Sequence, residues 1–244
     1  MRRAAGPIAL LLVMLVAAPA PAQELTLSLG PDDSLARTSV QLIALVTLLG
    51  FAPGLLVMVT CFPFIVTVLA ILRQAVGLQQ SPPNMLIVSL ALILTYFVMD
   101  PVFQVAWHDG IQPYAQGSLA LDQAFVRAAA PFRAFMAARV DPETFATLAA
   151  LRPTPPELGL SPQADLSLLV PGFMLTELSR AFEVGFLVFL PFLIIDLVVA
   201  AVLMSMGMMM VPPAIVSLPF KLSFFVVADG WSLIAGALVR SYAP

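Results

Sequence analysis

From Thr38 to Leu72 the chain carries no charged residue. That run far exceeds the ~20 apolar residues that cross the hydrocarbon of a bilayer. Gly50, Pro53, Gly54 and Pro63 lie inside it. In an apolar segment such residues kink or break helices, and the freed backbone groups must find partners in protein. The pattern therefore predicts a helix from about Ser39, a break near Pro53, and a second helical piece reaching Arg73. The polar connector RQAVGLQQSPPN follows, with Asn84 placed to cap the next helix. That helix is predicted from about Met85 to Trp107, with Asp100-Pro101 near its far end and Trp107 as an interfacial anchor.

Between Asp109 and Glu183 the pattern changes. Five arginines and eight acidic residues return, interspersed with eight prolines from Pro113 to Pro171, so this segment is not a membrane span. Asp141-Pro142-Glu143 reads as a helix start, with aspartate as cap and proline in the first turn. Phe125, Phe132, Phe135 and Met136 fall near one helical face, and two or three short helices are expected. Such stripes mostly pack their own domain; Phe125 and Phe135 are the candidates for contact with a neighbouring subunit. No strand pattern competes, so the chain reads as all-α.

After Pro171 the chain is amphipathic and then wholly apolar. Glu177, Arg180 and Glu183 stand three apart on one helix face, where Arg180 can bond to either glutamate. A solvated surface and an intersubunit contact both remain open for them. Two strongly apolar arms then face each other from Phe189 to Trp231, FLPFLIIDLVVAAVLMSMGMMMVPPAIVSLPFKLSFFVVADGW. Pro191 should kink the first arm. Asp196 sits in that arm, and Lys221 and Asp229 in the second. An ionisable group at the middle of a bilayer helix costs roughly 2.5–3.5 kcal/mol, so three in one hairpin call for protein or water neighbours.

The turn between the arms has its own chemistry. Met208, Met209 and Met210 are consecutive, so on a helix they would point in directions about 100° apart. Gly207 before them and Pro212-Pro213 after them make the place a turn. Methionine is usually a flexible filler of cores. Three adjacent deformable apolar side chains in a turn also suit a seal that closes on nothing and yields to something bulky. Hydrophobic constrictions gate by expelling water, so an apolar gasket at a pore is the sharper reading.

Composition narrows the class. Of 244 residues, 61% are hydrophobic and only 10% charged, against about 25% charged in a soluble domain; this is an integral membrane protein. Arg2 and Arg3, an apolar core from Ile8 to Ala18, and Ala20-Pro21-Ala22 read as a signal peptide with a cleavage site after Ala22. A retained anchor is the alternative. The formal charge of −3 becomes more negative without Arg2 and Arg3, which argues against nucleic acid. Cys61 and His108 are each the only one of their kind, so neither an intrachain disulfide nor the usual zinc-ligand spacing can be built, and no cofactor is expected. Asp196 and Asp229 lack the Gly-x-Gly-Asp setting of intramembrane aspartyl proteases. Phosphate-binding glycine loops and serine nucleophile elbows are absent. The expected organisation is a signal peptide at 1–22, an N-terminal hydrophobic hairpin at 23–107, a helical periplasmic domain at 108–183, and a C-terminal hydrophobic hairpin at 184–244.

The run from FLPFLIIDLVVA through MGMMMVPPAIVSLPFKL to DGW resembles the C-terminal hairpin of the flagellar export-gate FliP family, which is related to the R subunit of virulence type III secretion. LVPGFMLTELSRAFEVGF, LRQAVGLQQSPPN and ALILTYFVMDPV resemble the same family, so the likeness covers nearly all of the mature chain. The signal peptide favours the flagellar branch. The resemblance implies a pore-forming subunit, not an enzyme, in a gate within the basal body at the inner membrane, part of it exposed to the periplasm. It implies a homo-pentamer joined by FliQ-like, FliR-like and FlhB-like subunits and the basal-body ring, with unfolded export substrates as cargo. Met208, Met209 and Met210 match the methionine loop that closes the family's channel. Asp196, Lys221 and Asp229 match as well, and pairing between helices or subunits is expected of them. Pro63-Phe64 stands where the family usually has Thr-Arg, and Ala138-Arg139-Val140-Asp141 replaces a Gln-Thr-Arg-Glu run. A small-solute or ion transporter is the rival reading, since broken helices and intramembrane charges mark those too.

Overall fold

The computed structural model describes residues 34–77, 82–153, 158–208 and 210–242; the signal-peptide segment and Met209 lie outside the described residues. Every regular element among them is helical, with no strand. Two units are distinguished, residues 1–50 and 51–244. The first contributes the early part of helix α1, Ser34–Met58; the second holds everything that follows.

Helix α1 runs through Pro53 and ends at Met58, and α2 occupies Phe62–Val76. The break therefore falls at Val59–Cys61, later than the one expected near Pro53. Pro63 explains the shift. It sits in the first turn of α2, where its missing N–H would have no intrahelical partner in any case. Thr60 supports the joint: its hydroxyl accepts from the Phe62 N–H at 3.4 Å and donates to the Val57 carbonyl at 2.8 Å.

Helix α3, Asn84–Ala106, carries Pro101 within it. Asn84 is its first residue rather than its cap, and its side-chain oxygen accepts from Arg73 across the connector. A π-turn at Trp107–Ile111 leads into the short α4, Gln112–Ala115. Helices α5, Leu121–Ala137, and α6, Pro142–Ala150, form the polar middle of the chain. Asp141 caps α6, accepting the Thr144 N–H at 2.8 Å. Those bonds hold its carboxyl below the usual carboxylate range.

Helix α7, Leu166–Ser205, spans 40 residues and contains Pro171 and Pro191. Helix α8 is Pro213–Val227 and α9 is Gly230–Arg240, the two meeting at a bend of 61°. The core is built where α2 lies along α7, with α3, α5 and α8 around them. Ile65, Val68, Leu69, Leu72 and Ala75 supply the buried face of α2, spaced three and four apart. A second cluster, including Met136, Phe145, Leu169 and Phe173, joins α5 and α6 to the beginning of α7. Among the described residues three helices are long and apolar enough to cross a membrane, or four if α8 and α9 count as one bent span.

Candidate functional site: the methionine turn and its supports

Gly207 ends α7 with φ at +76°, the left-handed conformation that glycine adopts without a Cβ penalty. The Gly207 N–H bonds to the Met204 carbonyl at 3.1 Å and the Met208 N–H to the Leu203 carbonyl at 3.0 Å, the paired bonds of a Schellman stop. On the far side Pro212 is extended and Pro213 opens α8. Glycine thus closes α7 and proline starts α8, leaving a short bridge between them. Met204 in the last turn of α7 and Met206 and Met208 just beyond it are exposed, and Met210 retains 97% of its accessible surface. Below the turn an apolar groove of about 410 Å³ runs between the arms, lined by residues such as Ile194, Val198, Val202 and Phe220.

Behind that groove the charges are tied off. Lys221 Nζ lies 2.7 Å from Asp196 Oδ2, and the Ser217 hydroxyl donates to Asp196 Oδ1 at 2.6 Å. The same ammonium donates to the Ala75 carbonyl at 3.1 Å. Ala75 lies in the last turn of α2, whose carbonyls have no intrahelical donor and whose dipole favours a cation. One buried side chain therefore fastens α2, α7 and α8 together. Asp229 is exposed and belongs to none of the ion pairs among the described residues.

Glu177 departs from the expected charged face. It is fully buried, while Arg180 and Glu183 on later turns are exposed. Its partner is not Arg180 but Arg139, whose Nε lies 3.1 Å from Glu177 Oε1. The Tyr242 hydroxyl donates to the other oxygen. Arg139 also donates to the Ser241 carbonyl at 3.3 Å and lies 3.8 Å above the Tyr242 ring. Burial, and then the Glu177 carboxylate, push the Tyr242 phenol upward. Phe135 stacks on Tyr242 and meets Phe173 edge-on, so it packs internally, whereas Phe125 is exposed. The nearby Cys61 thiol is pushed up to about 12 by burial, which leaves it protonated and unreactive at neutral pH.

A family model described as the FliP family matches residues 45–238. The chain belongs to the FliP family. It is 49% identical over 216 residues to the flagellar biosynthetic protein FliP of Caulobacter vibrioides, covering 88% of this chain and 81% of that one. It is 47% identical to the FliP of Rhizobium meliloti, covering 86% of each. With the FliP of Bacillus subtilis it shares 41% identity over 86% of this chain and 95% of the relative. The FliP match includes the methionine turn, Asp196, Lys221, Asp229, Arg139 and Glu177, and ends before Tyr242. Ser217, the Ala75 carbonyl and the Arg139–Tyr242 stack were not foreseen. Ser217 stands one helical turn before Lys221, a spacing that could have marked it; nothing local marks Tyr242.

Proposed function

We propose that this FliP-family chain is a pore-forming subunit of the flagellar protein export gate, and that its methionine turn is the seal. The observation that carries the reading is an exposed, uncharged methionine bridge on a hairpin whose buried Lys221 is satisfied by half-buried Asp196 and the Ala75 carbonyl. Thioether side chains are soft and adapt to irregular surfaces. A ring of such turns can exclude water when empty and deform around a passing unfolded chain. The partners are further copies of this chain, five by resemblance, with FliQ-like, FliR-like and FlhB-like subunits inside the basal-body ring. The location is the inner membrane, with part of the chain facing the periplasm, and the chain acts as a conduit rather than an enzyme. A solute transporter gains less support, because Asp196 and Lys221 spend their bonds on each other, Ser217 and Ala75 and offer little to an incoming ion. The test replaces Met208, Met209 and Met210 with glycine and measures membrane conductance to small ions. A leak is expected; unchanged conductance removes the seal.

A further inference from the structure

The acidic residue that the ion pair leaves out has the left-handed backbone otherwise held only by glycines among the described residues. Asp229 has φ 47° and ψ 49°. In that region a Cβ crowds the neighbouring carbonyl; aspartate and asparagine tolerate it, glycine more so, and β-branched residues hardly at all. Asp229 stands where α8 ends and α9 begins, at the 61° bend. The next position is equally constrained, since a Cβ on Gly230 would overlap the ring of Phe225. That ring lies edge-on to Trp231, 5.3 Å between centroids, and packs against Phe192. The Asp229 backbone is engaged while its carboxylate enters none of the ion pairs among the described residues: its carbonyl accepts the Leu233 N–H at 3.1 Å, opening α9.

We infer that Asp229 is a positioning residue that works as a backbone joint and that its charge is dispensable. The joint gives α9 its direction. Eleven helical residues advance the chain by about 16 Å, and after the bend that length packs against α3 and α8 and delivers Ser241 and Tyr242 to Arg139 and Glu177. Helix α9 is thus a strap, jointed at Asp229-Gly230 and clasped at Tyr242. A joint opened wider than 61° would carry the clasp away from its partners. The inference does not depend on the pore reading, because it concerns only which backbone conformation position 229 must hold.

The experiment uses the full-length protein, purified in detergent, and follows trypsin cleavage between Arg240 and Ser241 by mass spectrometry. Arg240 is exposed, but the residue after it is held by Arg139. Asp229→Asn and Asp229→Gly are expected to cleave within about twofold of the parent protein, and Asp229→Val at least about tenfold faster, because only valine is excluded from the left-handed region. Arg139→Ala serves as the unclasped reference. Should Asp229→Asn or Asp229→Gly cleave as fast as Asp229→Val, the charge matters and the joint is overturned; parent-like protection of Asp229→Val overturns it as well. If the valine variant does not accumulate, the other two decide: normal yield and protection of both supports the joint, and loss of either sinks it.

Discussion

A carboxylate without access to water is tolerable only when its oxygens are bonded, and Glu177 meets that condition with groups from two distant parts of the chain. Arg139 takes one oxygen and the Tyr242 hydroxyl the other. Removing one member of a buried pair strands the other charge and costs about 3–5 kcal/mol, whereas losing a single hydrogen bond to a charged group costs about 1.5–3 kcal/mol. Arg139→Ala is therefore expected to lower the unfolding midpoint in detergent more than Tyr242→Phe. The phenol adds a pH dependence. A tyrosine in the unfolded chain ionises near 10, while folded Tyr242 holds its proton to higher pH. Above about pH 10 the unfolded state loses this proton first, so stability falls as pH rises, and it is fully present below that range. Titrating stability from pH 8 to 11 should show a steeper alkaline decline in the parent protein than in Tyr242→Phe. Parallel curves would mean that Tyr242 is not buried against Glu177.

Helices meet here through glycines, and two of the close contacts differ in what stands opposite. At the π-turn a Cβ on Gly110 would lie 2.6 Å from the Ala128 backbone nitrogen and 2.8 Å from the Ala124 carbonyl oxygen, so a methyl there pushes the whole of α5. At Gly185 on α7 the neighbour is the Ile71 side chain, whose flexible end can turn aside. Overpacking costs typically 1–3 kcal/mol and more where backbone must shift. Gly110→Ala is expected to destabilise the protein more than Gly185→Ala, and Ile71→Ala to relieve Gly185→Ala but not Gly110→Ala; thermal unfolding of the four variants checks the order. Neither glycine announced itself in the sequence, because close approach is a property of two elements at once. What could be read was local: the cap at Asp141, the turn at Gly207, the helical character of each apolar run. The break between α1 and α2 was harder, since Pro53 and Pro63 both punctuate the run. Only the second lies where its lost N–H costs nothing, and Thr60 supplies the bond that settles it. The charged face at Glu177, Arg180 and Glu183 misled for a related reason. Spacing on one helix says which residues are neighbours, not which face turns inward toward Arg139.

At the scale of the whole molecule the length of α7 is decisive. Forty helical residues reach about 60 Å, roughly twice the ~30 Å of bilayer hydrocarbon, so lipid can cover the apolar part after Glu183 but not the rest as well. The earlier part nonetheless exposes Leu175, Leu178 and Phe182, and Phe125 and Val126 on α5 are also open. Large apolar side chains that neither lipid nor their own chain covers mark a surface that binds protein. If the proposed multimer forms, the solubilised particle is expected to exceed the 26.0 kDa of one copy by several-fold when its mass is measured by light scattering with the detergent subtracted. Phe182→Asp should shift that mass downward, since a carboxylate in a desolvated contact is costly unless paired. The same change would do little to a chain working alone, where Phe182 faces solvent. A parent protein that runs as one copy, indifferent to Phe182→Asp, would undo the idea that these turns come together around an axis, because a seal of soft side chains needs more than one chain to close.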